Sequence, residues 1–507
     1  MQKKFFGLVG PQVTLFGQAA RPQPPMGLAY IFNAVEQAGW EPIFFDSLAE
    51  GFGSIFEDRE LGIRVTGLSI KRIIKRIEEV APDVIGLSLG LSTDHDYVRR
   101  LAQEIRATYQ CPIILGGSEA SLMHTEILSG LPVERIPANF VVTGRDIGAG
   151  EETVLRLLKE LSGEQRYEEV PGLAFLQDKK VVVTSSVRVD DAILASLAMP
   201  RRDLFPISNG VDIYSSINLS HTGPVDPPPY AVMHTSRGCG AACTFCHTRY
   251  GGFDRTLIRR SLSNVFSELE YLRDRGVNTV SIEDDNFGGF STNQLDFSLA
   301  VLEKVQELEF QGLYFPNGMT IRSMINDGFR LLRKLRELAD AGLKIRSSLP
   351  AESGDDHTLR HIINKPHGVN DISQISRELM TGYLAHENID LDVFFMIGAV
   401  GYNYRDGQFL REKKASMRKT LELADKMANL GIRVNIWWMK PNPNGPQYKL
   451  WRSLNPEAPF YFLQFAFPSG IWGDEEEELY WNEIIEKKNE EMGKQGVGSR
   501  RPIFRVR

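Results

Sequence analysis

Three of the four cysteines in this 507-residue chain fall within one stretch, Ser236 to Gly252, which reads SRGCGAACTFCHTRYGG. Cys239, Cys243 and Cys246 stand three and two residues apart on a glycine-containing loop. Thiolates spaced in this way can turn inward onto one polynuclear iron–sulfur centre, for which cysteine is the usual ligand. Three is one short of the usual set, and Cys111, the remaining cysteine, lies in a distant apolar run. A four-iron cluster held by this loop would keep one iron open to a non-protein ligand, which implies chemistry more than electron storage. Phe245, just before the last cysteine, offers an aromatic face on which a flat ring such as adenine could rest. A structural zinc site competes with this reading. His234 and His247 could complete its four ligands, but no further cysteine follows downstream. Unrelated buried thiols are the remaining alternative.

The cysteine spacing, the preceding Ser236-Arg237-Gly238 and the aromatic Phe245 resemble the cluster loop of the radical S-adenosylmethionine (SAM) enzymes. The resemblance implies a 4Fe-4S cluster on Cys239, Cys243 and Cys246, with SAM chelating the open iron through its amino and carboxylate groups. Electron transfer from the cluster would then cleave SAM to a deoxyadenosyl radical. By the same resemblance Asp284 and Asp285, in the acidic run that starts at Glu283, stand where the family holds the SAM amino group. Glu352 stands at a ribose contact, and a carboxylate can accept bonds from both ribose hydroxyls. Gly398 and Gly401 would let the backbone pass close to adenine, and Arg322 could pair with the SAM carboxylate. The blander readings are strand-end caps for the aspartates and a solvated barrel-edge side chain for Arg322. One departure is plain: Val400 and Tyr402 occupy places where the family usually has Pro and Glu.

The chain is too long for one core, so two or three domains are expected. Apolar residues at 42% and charged residues at 24% suit a globular protein and argue against a disordered scaffold. A net charge of −7 gives no overall basic footprint, so no nucleic-acid partner is expected. Clustered cysteines make no disulfide framework, and an oxygen-sensitive cluster needs a reducing compartment, so a cytoplasmic location is expected. The apolar run of MQKKFFGLVG is too short for a signal peptide, and no apolar stretch is long enough to span a membrane.

Strands alternating with helices must position these residues. In the amino-terminal part, strands are read at Lys4 to Gly10, Glu41 to Phe45, Asp83 to Leu89, Pro112 to Leu115 and Phe140 to Thr143. Helices are read from Pro25, where Leu28, Ile31, Val35 and Ala38 recur at helical spacing, and at Ser69 to Val80, Asp94 to Tyr109 and Glu151 to Leu161. This alternation predicts an α/β fold with a doubly wound, flavodoxin- or Rossmann-like parallel sheet, whose ligands sit outside the carboxyl ends of the strands. Ser88, Gly90, Gly116, Gly117 and Gly144 all fall at that edge, where glycines permit close backbone approach to a bulky ligand. No GxGxxG follows the first strand, which disfavours a dinucleotide. The PPMGLAY entry, the strand-end serine and the Gly-Gly pair resemble the cobalamin-binding domain of one large radical SAM subfamily. That resemblance implies cobalamin at Ser88, Gly90, Gly116, Gly117 and Gly144. The first loop, Pro11 to Pro25, holds no histidine for cobalt. His95 is read as exposed in the first turn of a helix capped by Thr93 or Asp94. Gly148-Ala149-Gly150-Glu151-Glu152 departs from the family's tighter turn.

The expected organisation is a cobalamin-type domain at 1–165, a strand appendage and linker at 166–224, a radical SAM barrel at 225–450 and an extension at 451–507. Prolines 224 and 227–229 mark a stiff connector. Tyr230 to His234 begins a partial (β/α)6 barrel whose further strands are read at Thr279 to Ile282, Leu313 to Thr320, Lys344 to Leu349, Leu391 to Ile397 and Val434 to Met439. A helix is read at Leu262 to Arg275 and another at Phe329 to Ala341. Each strand is followed by polar or glycine residues facing one opening. The aromatic run Phe460 to Phe467 and the charged helix after it read as a flap or a subunit contact. The family resemblance implies methyl transfer to an unactivated carbon of a small-molecule substrate, with cobalamin as methyl carrier and flavodoxin or ferredoxin as electron donor. Ring formation, ring contraction or another rearrangement is a second reading, and a non-catalytic metal-binding protein a third.

Overall fold

The computed structural model describes residues 2–439 and 448, apart from 15–19, 131–133, 145–148, 187–197, 209–210, 221–222, 247, 249–256, 382–385, 404–407 and 430–431. The chain divides into two compact units, with the break between Val225 and Asp226.

The first unit is built on strands β1 (Lys4–Val9), β2 (Glu41–Asp46), β3 (Val84–Ser88), β4 (Ile113–Gly116), β5 (Phe140–Val142), β6 (Leu173–Gln177) and β7 (Lys180–Val183), in the order β7-β6-β5-β4-β3-β1-β2. The first five run parallel, and β6 and β7 add an antiparallel edge. The 2-1-3-4-5 core is the doubly wound order, with its switch point between β1 and β3. Strands covered on both faces must be apolar throughout, and Val84, Ile85 and Leu87 are accordingly buried. Helices α1 (Met26–Gln37), α2 (Ile70–Val80) and α3 (His95–Thr108) fall where the periodicity predicts them. Helix α1 sets Phe32 edge-on to Phe5 of β1, with ring centroids 6.5 Å apart. Helix α2 buries only Ile73 and Ile77, four residues apart on one face.

The second unit is a six-stranded parallel sheet: β8 (Tyr230–Met233), β9 (Thr279–Ile282), β10 (Gly312–Phe315), β11 (Lys344–Glu352), β12 (Ile389–Ile397) and β13 (Arg433–Trp438). Spatial order equals sequence order. Right-handed crossovers between successive neighbours put every helix on one face, which leaves the other face as the inner, concave wall of an open barrel. The register records the alternation. On β12 the side chains of Val393, Phe395 and Ile397 are fully buried, whereas Asp390, Asp392 and Phe394 on the opposite face retain solvent contact. Caps start the helices: Ser261 accepts from Asn264 N before Leu262–Asp274, and Ser291 forms a capping box with Gln294 before Thr292–Glu307.

Several expectations are corrected. The third barrel strand ends at Phe315, not Thr320, because Pro316 has no N–H to extend the ladder. The helix read from Phe329 begins at Ile321 and is broken at Asn326–Phe329, where Asp327, Gly328 and Phe329 turn left-handed. Helices at Thr292–Glu307, Val369–Thr381 and Lys414–Asn429 and a hairpin at Val400–Asn403 and Gln408–Arg411 have no counterpart in the sequence reading. His95 is not exposed: it is 2% accessible, with Nε2 2.9 Å from the Glu134 carbonyl. Asp94 does not cap α3 through its side chain, which instead accepts from Val13 N at 2.9 Å. Gly148, His247 and the extension from residue 451 lie outside the described residues.

Candidate active site

The cysteine loop leaves the carboxyl end of β8 and is tied down on both sides. Its entry is fixed by Asp284, just past β9, which accepts from Thr235 N at 2.7 Å, Ser236 N at 3.2 Å, Ser236 Oγ at 2.6 Å and the Thr235 hydroxyl. Asp284 is 1% exposed, so its oxygens are committed to the loop. This corrects the expectation that it faces the SAM amino group: it is a buried anchor. Burial raises its carboxyl pKa, and the four donors counter that rise. Asp285 is exposed and accepts from Gly238 N at 3.0 Å and Thr248 Oγ1 at 2.8 Å, beside the cysteines. Glu283 follows Thr279 and Ser281 in the alternating row of β9. Burial pushes its carboxyl up to about 7, and among the described residues no hydrogen bond reaches that carboxyl. Of the acidic run, Glu283 therefore keeps the uncommitted carboxyl. The end of β8 is fixed by a buried pair, Arg260 Nη1 to Glu268 Oε2 at 2.5 Å, with Arg260 also donating to the His234 carbonyl.

The far side of the loop is stapled to residues 362–365. Thr244 N donates to the Ile363 carbonyl at 3.0 Å, Thr244 Oγ1 to that of Ile362 at 2.9 Å, and Asn364 Nδ2 to that of Ala242 at 3.0 Å. These bonds bring in Lys365, which the sequence reading missed. Its side chain is 9% exposed, its ammonium is 2.8 Å from Glu352 Oε1, and it lies 5.3 Å from the centroid of the Phe245 ring. Burial works against its charge, but Glu352 and the Cys243 thiolate hold its pKa above the ordinary lysine value. Glu352 closes β11 with φ +65°, a conformation that costs a non-glycine residue on the order of 1–3 kcal/mol and persists only where its surroundings enforce it. Cys239, Cys243, Cys246, Phe245, Lys365 and Glu352 thus form one constellation at the barrel mouth.

Burial pushes the Cys239 thiol up to about 11 and the Cys243 thiol up to about 12, with Lys365 drawing both back. Ligation by iron needs thiolates, so loading must displace these protons. Among the described residues no three His, Cys, Asp or Glu side chains converge as ligands of a single ion. Three soft thiols beside a buried ammonium fit a cluster with an anionic ligand on its open iron.

Gly398, after β12, has φ +71°. The amide of Ala399 donates to Glu412 Oε2 at 3.0 Å, and Gly398 also bonds this buried carboxylate. Glu412 follows the hairpin, so a carboxylate does reach the loop in which Tyr402 departs from the family pattern. Arg322 lies in the first turn of Ile321–Asp340 with its side chain exposed, and the structure does not bring it into the Lys365–Glu352 group.

In the first unit, Ser88 pairs with Gly116 across β3 and β4, and Gly90, Gly117 and Gly144 follow the ends of β3, β4 and β5. They share one sheet edge but are not equivalent. A Cβ at Gly90 or Gly116 would meet no heavy atom within 4 Å, whereas at Gly117, where φ is +109°, it would lie 2.4 Å from the Leu89 carbonyl oxygen. A Cβ at Gly144 would lie 3.0 Å from Ser121 Oγ. The open space at the switch-point edge fits a bulky ligand at Gly90 and Gly116. Gly117 shapes the loop itself. Cys111 is 7% exposed in this same unit, apart from the cluster loop.

Comparison with known proteins identifies both domains. The B12 binding domain model matches residues 13–133 and the Radical SAM superfamily model matches residues 233–380. The cytidylyl-2-hydroxyethylphosphonate methyltransferase of Streptomyces wedmorensis is 27% identical over 437 residues, covering 81% of this chain and 75% of the relative. Among solved structures, the radical S-adenosylmethionine methyltransferase TsrM from Kitasatospora setae, with cobalamin and a 4Fe-4S cluster bound, superposes with a TM-score of 0.66. It is 15% identical and covers 89% of this chain and 78% of its own. The cobalamin-dependent S-adenosylmethionine radical enzyme OxsB gives a TM-score of 0.62 at 15% identity, covering 90% of this chain and 61% of its own. At these identities the structures establish the fold. The two matched models, in this order along the chain, carry the family: this protein belongs to the radical SAM enzymes with an amino-terminal cobalamin-binding domain, which work with a 4Fe-4S cluster, SAM and cobalamin.

Proposed function

We propose that this enzyme transfers a methyl group to an unactivated carbon of a small molecule. The observation that carries the reading is the presence of both cofactor domains in one chain, aligned over 81% of its length with a relative named as a methyltransferase. When bound, the cluster and SAM supply a carbon-centred radical and cobalamin carries the methyl group. The protein's own share is orientation and exclusion of water.

In this reading Cys239, Cys243 and Cys246 hold the cluster. Lys365, beside them, neutralises the SAM carboxylate, and Glu283 and Asp285 face its amino group. Glu352, fixed by Lys365, takes the ribose hydroxyls, while Phe245 and Gly398 flank adenine. Ser88, Gly90 and Gly116 border the cobalamin tail, and Gly117 and Gly144 hold the loops around it. A flavodoxin- or ferredoxin-type protein supplies electrons in a reducing, cytoplasmic compartment. Among the described residues no helix is long and apolar enough to cross a membrane.

The test is anaerobic reconstitution with iron, sulfide and cobalamin, followed by incubation with methyl-deuterated SAM and a cellular metabolite extract. Deoxyadenosine and a metabolite carrying one labelled methyl are expected, and Cys243→Ala should abolish both along with the cluster absorbance. A product of altered connectivity without added label would replace methylation by rearrangement.

A further inference from the structure

The inner wall of the barrel carries a pattern that the cofactor assignments do not use. On its amino-terminal side, Arg346 of β11, Asp390 and Asp392 of β12 and Arg433 of β13 form a closed square of charges. Arg433 Nε lies 2.7 Å from Asp392 Oδ1, and a second Arg433 nitrogen contacts Asp390. Arg346 lies 3.6 Å from Asp390 and 3.7 Å from Asp392 and stacks over Tyr314 at 5.4 Å. Each guanidinium lies within ion-pair distance of both carboxylates, so this floor is charge-balanced; Arg433 hydrogen-bonds both aspartates, whereas Arg346 faces them at longer range.

The next positions toward the carboxyl ends are Phe394, paired in register with Asn435, and Met396, paired with Trp437. Phe394, Asn435 and Trp437 retain solvent contact, although β12 lies inside the sheet and Phe395 and Ile436, on the opposite face of the same strands, are 0% and 3% exposed. At Phe394 the opening is therefore a property of the concave face, and Asn435 and Trp437 continue that face on the edge strand β13. Among the described residues the Asn435 side-chain amide makes no hydrogen bond, so it offers a donor and an acceptor between two aromatic side chains. Among the described residues no uncompensated cation stands at this level.

We infer that the methyl acceptor is an uncharged molecule whose flat apolar part lies along Phe394 and Trp437 and whose hydrogen-bonding group is read by Asn435. The inference rests on the methyltransferase reading and adds the substrate class. An anionic head group would have to compete with Asp390 and Asp392 for both arginines of the wall, and those two carboxylates would repel it. The relative from Streptomyces wedmorensis is named for a phosphonate nucleotide. The present chain should refuse such an anion at this wall.

The test is calorimetric titration of the anaerobically reconstituted holoenzyme with SAM present, using benzamide as an uncharged planar probe and cytidine monophosphate as an anionic one. Wild type should bind benzamide and not the nucleotide. Asn435→Ala should weaken benzamide by about tenfold, the value of one hydrogen bond. Asp390→Asn with Asp392→Asn frees both guanidinium groups and should create nucleotide binding. Cluster absorbance serves as the fold control, and if the double variant loses its cluster, the Asn435→Ala comparison decides. The inference is overturned if wild type takes the nucleotide at least as tightly as benzamide, if it fails to bind benzamide, or if Asn435→Ala leaves benzamide affinity unchanged. Reductive SAM cleavage, measured on the same wild-type preparation, separates the two levels. Its absence removes the enzymatic reading, whereas its presence with the wrong ligand preference removes only the substrate class.

Discussion

At the scale of single residues, burial decides which carboxyl groups titrate. Asp94 is 4% exposed and accepts one bond from Val13 N, and burial pushes its carboxyl up to about 7. Glu119, its buried acidic neighbour, is pushed up to about 8 by burial, with Glu126 and Asp94 adding to the rise. Above the ordinary carboxyl range the unfolded chain is ionised while the folded chain keeps the Asp94 proton. This contribution to stability is therefore full below about pH 4 and is lost as the pH rises through about 7. Asp94→Asn keeps an oxygen for Val13 and carries no charge. It should be more stable than wild type by up to about 4 kcal/mol near pH 8, with the gap closing near pH 4. Thermal unfolding of the full chain across this range checks it, and parallel midpoints for the two proteins would refute the assignment.

At the scale of elements, the cysteine loop is presented by its anchors. One carboxylate, Asp284, satisfies two buried amides and two hydroxyls at the loop's entry, while residues 362–364 hold the other side. Asp284→Ala leaves those amides unpaired at a cost of about 1–3 kcal/mol each. Although it removes no cluster ligand, it should lower iron and sulfide content after reconstitution severalfold, with three loop thiols still titratable in the unfolded chain. Full cluster content in this variant would show that the loop needs no such anchor.

At the scale of the molecule, each unit carries its own site and its own core. Gly116→Val should keep the fold and the cluster absorbance but lower cobalamin occupancy, because the added side chain enters open space at the sheet edge. Gly117→Val should disturb the first unit itself, since its Cβ collides with the Leu89 carbonyl and its φ of +109° disfavours any side chain. Cobalamin absorbance per chain, read beside cluster absorbance and circular dichroism, distinguishes the two. Undiminished cobalamin in Gly116→Val would remove that edge as the vitamin's site.

The chain alone determined what depends on near neighbours. Three cysteines on one short loop must lie close together whatever the fold, and buried parallel strands such as Val84–Ser88 must be written as apolar runs. Glycines at successive strand ends likewise had to fall along one edge of a parallel sheet. Tertiary structure decided what depends on direction and long-range register. Asp284 and Glu283 are adjacent acids in sequence, and only the pleat and the buried hydroxyls of Thr235 and Ser236 make the first an anchor and leave the second free. Lys365 reaches Glu352 and Phe245 because Thr244 and Asn364 staple two distant segments together. Glu412 reaches Ala399 because an intervening hairpin returns the chain to it. The charge square of the barrel wall exists only because parallel register sets Asp392 beside Arg433 and Asp390 beside Arg346, and no spacing within one strand encodes which strand will lie next to it.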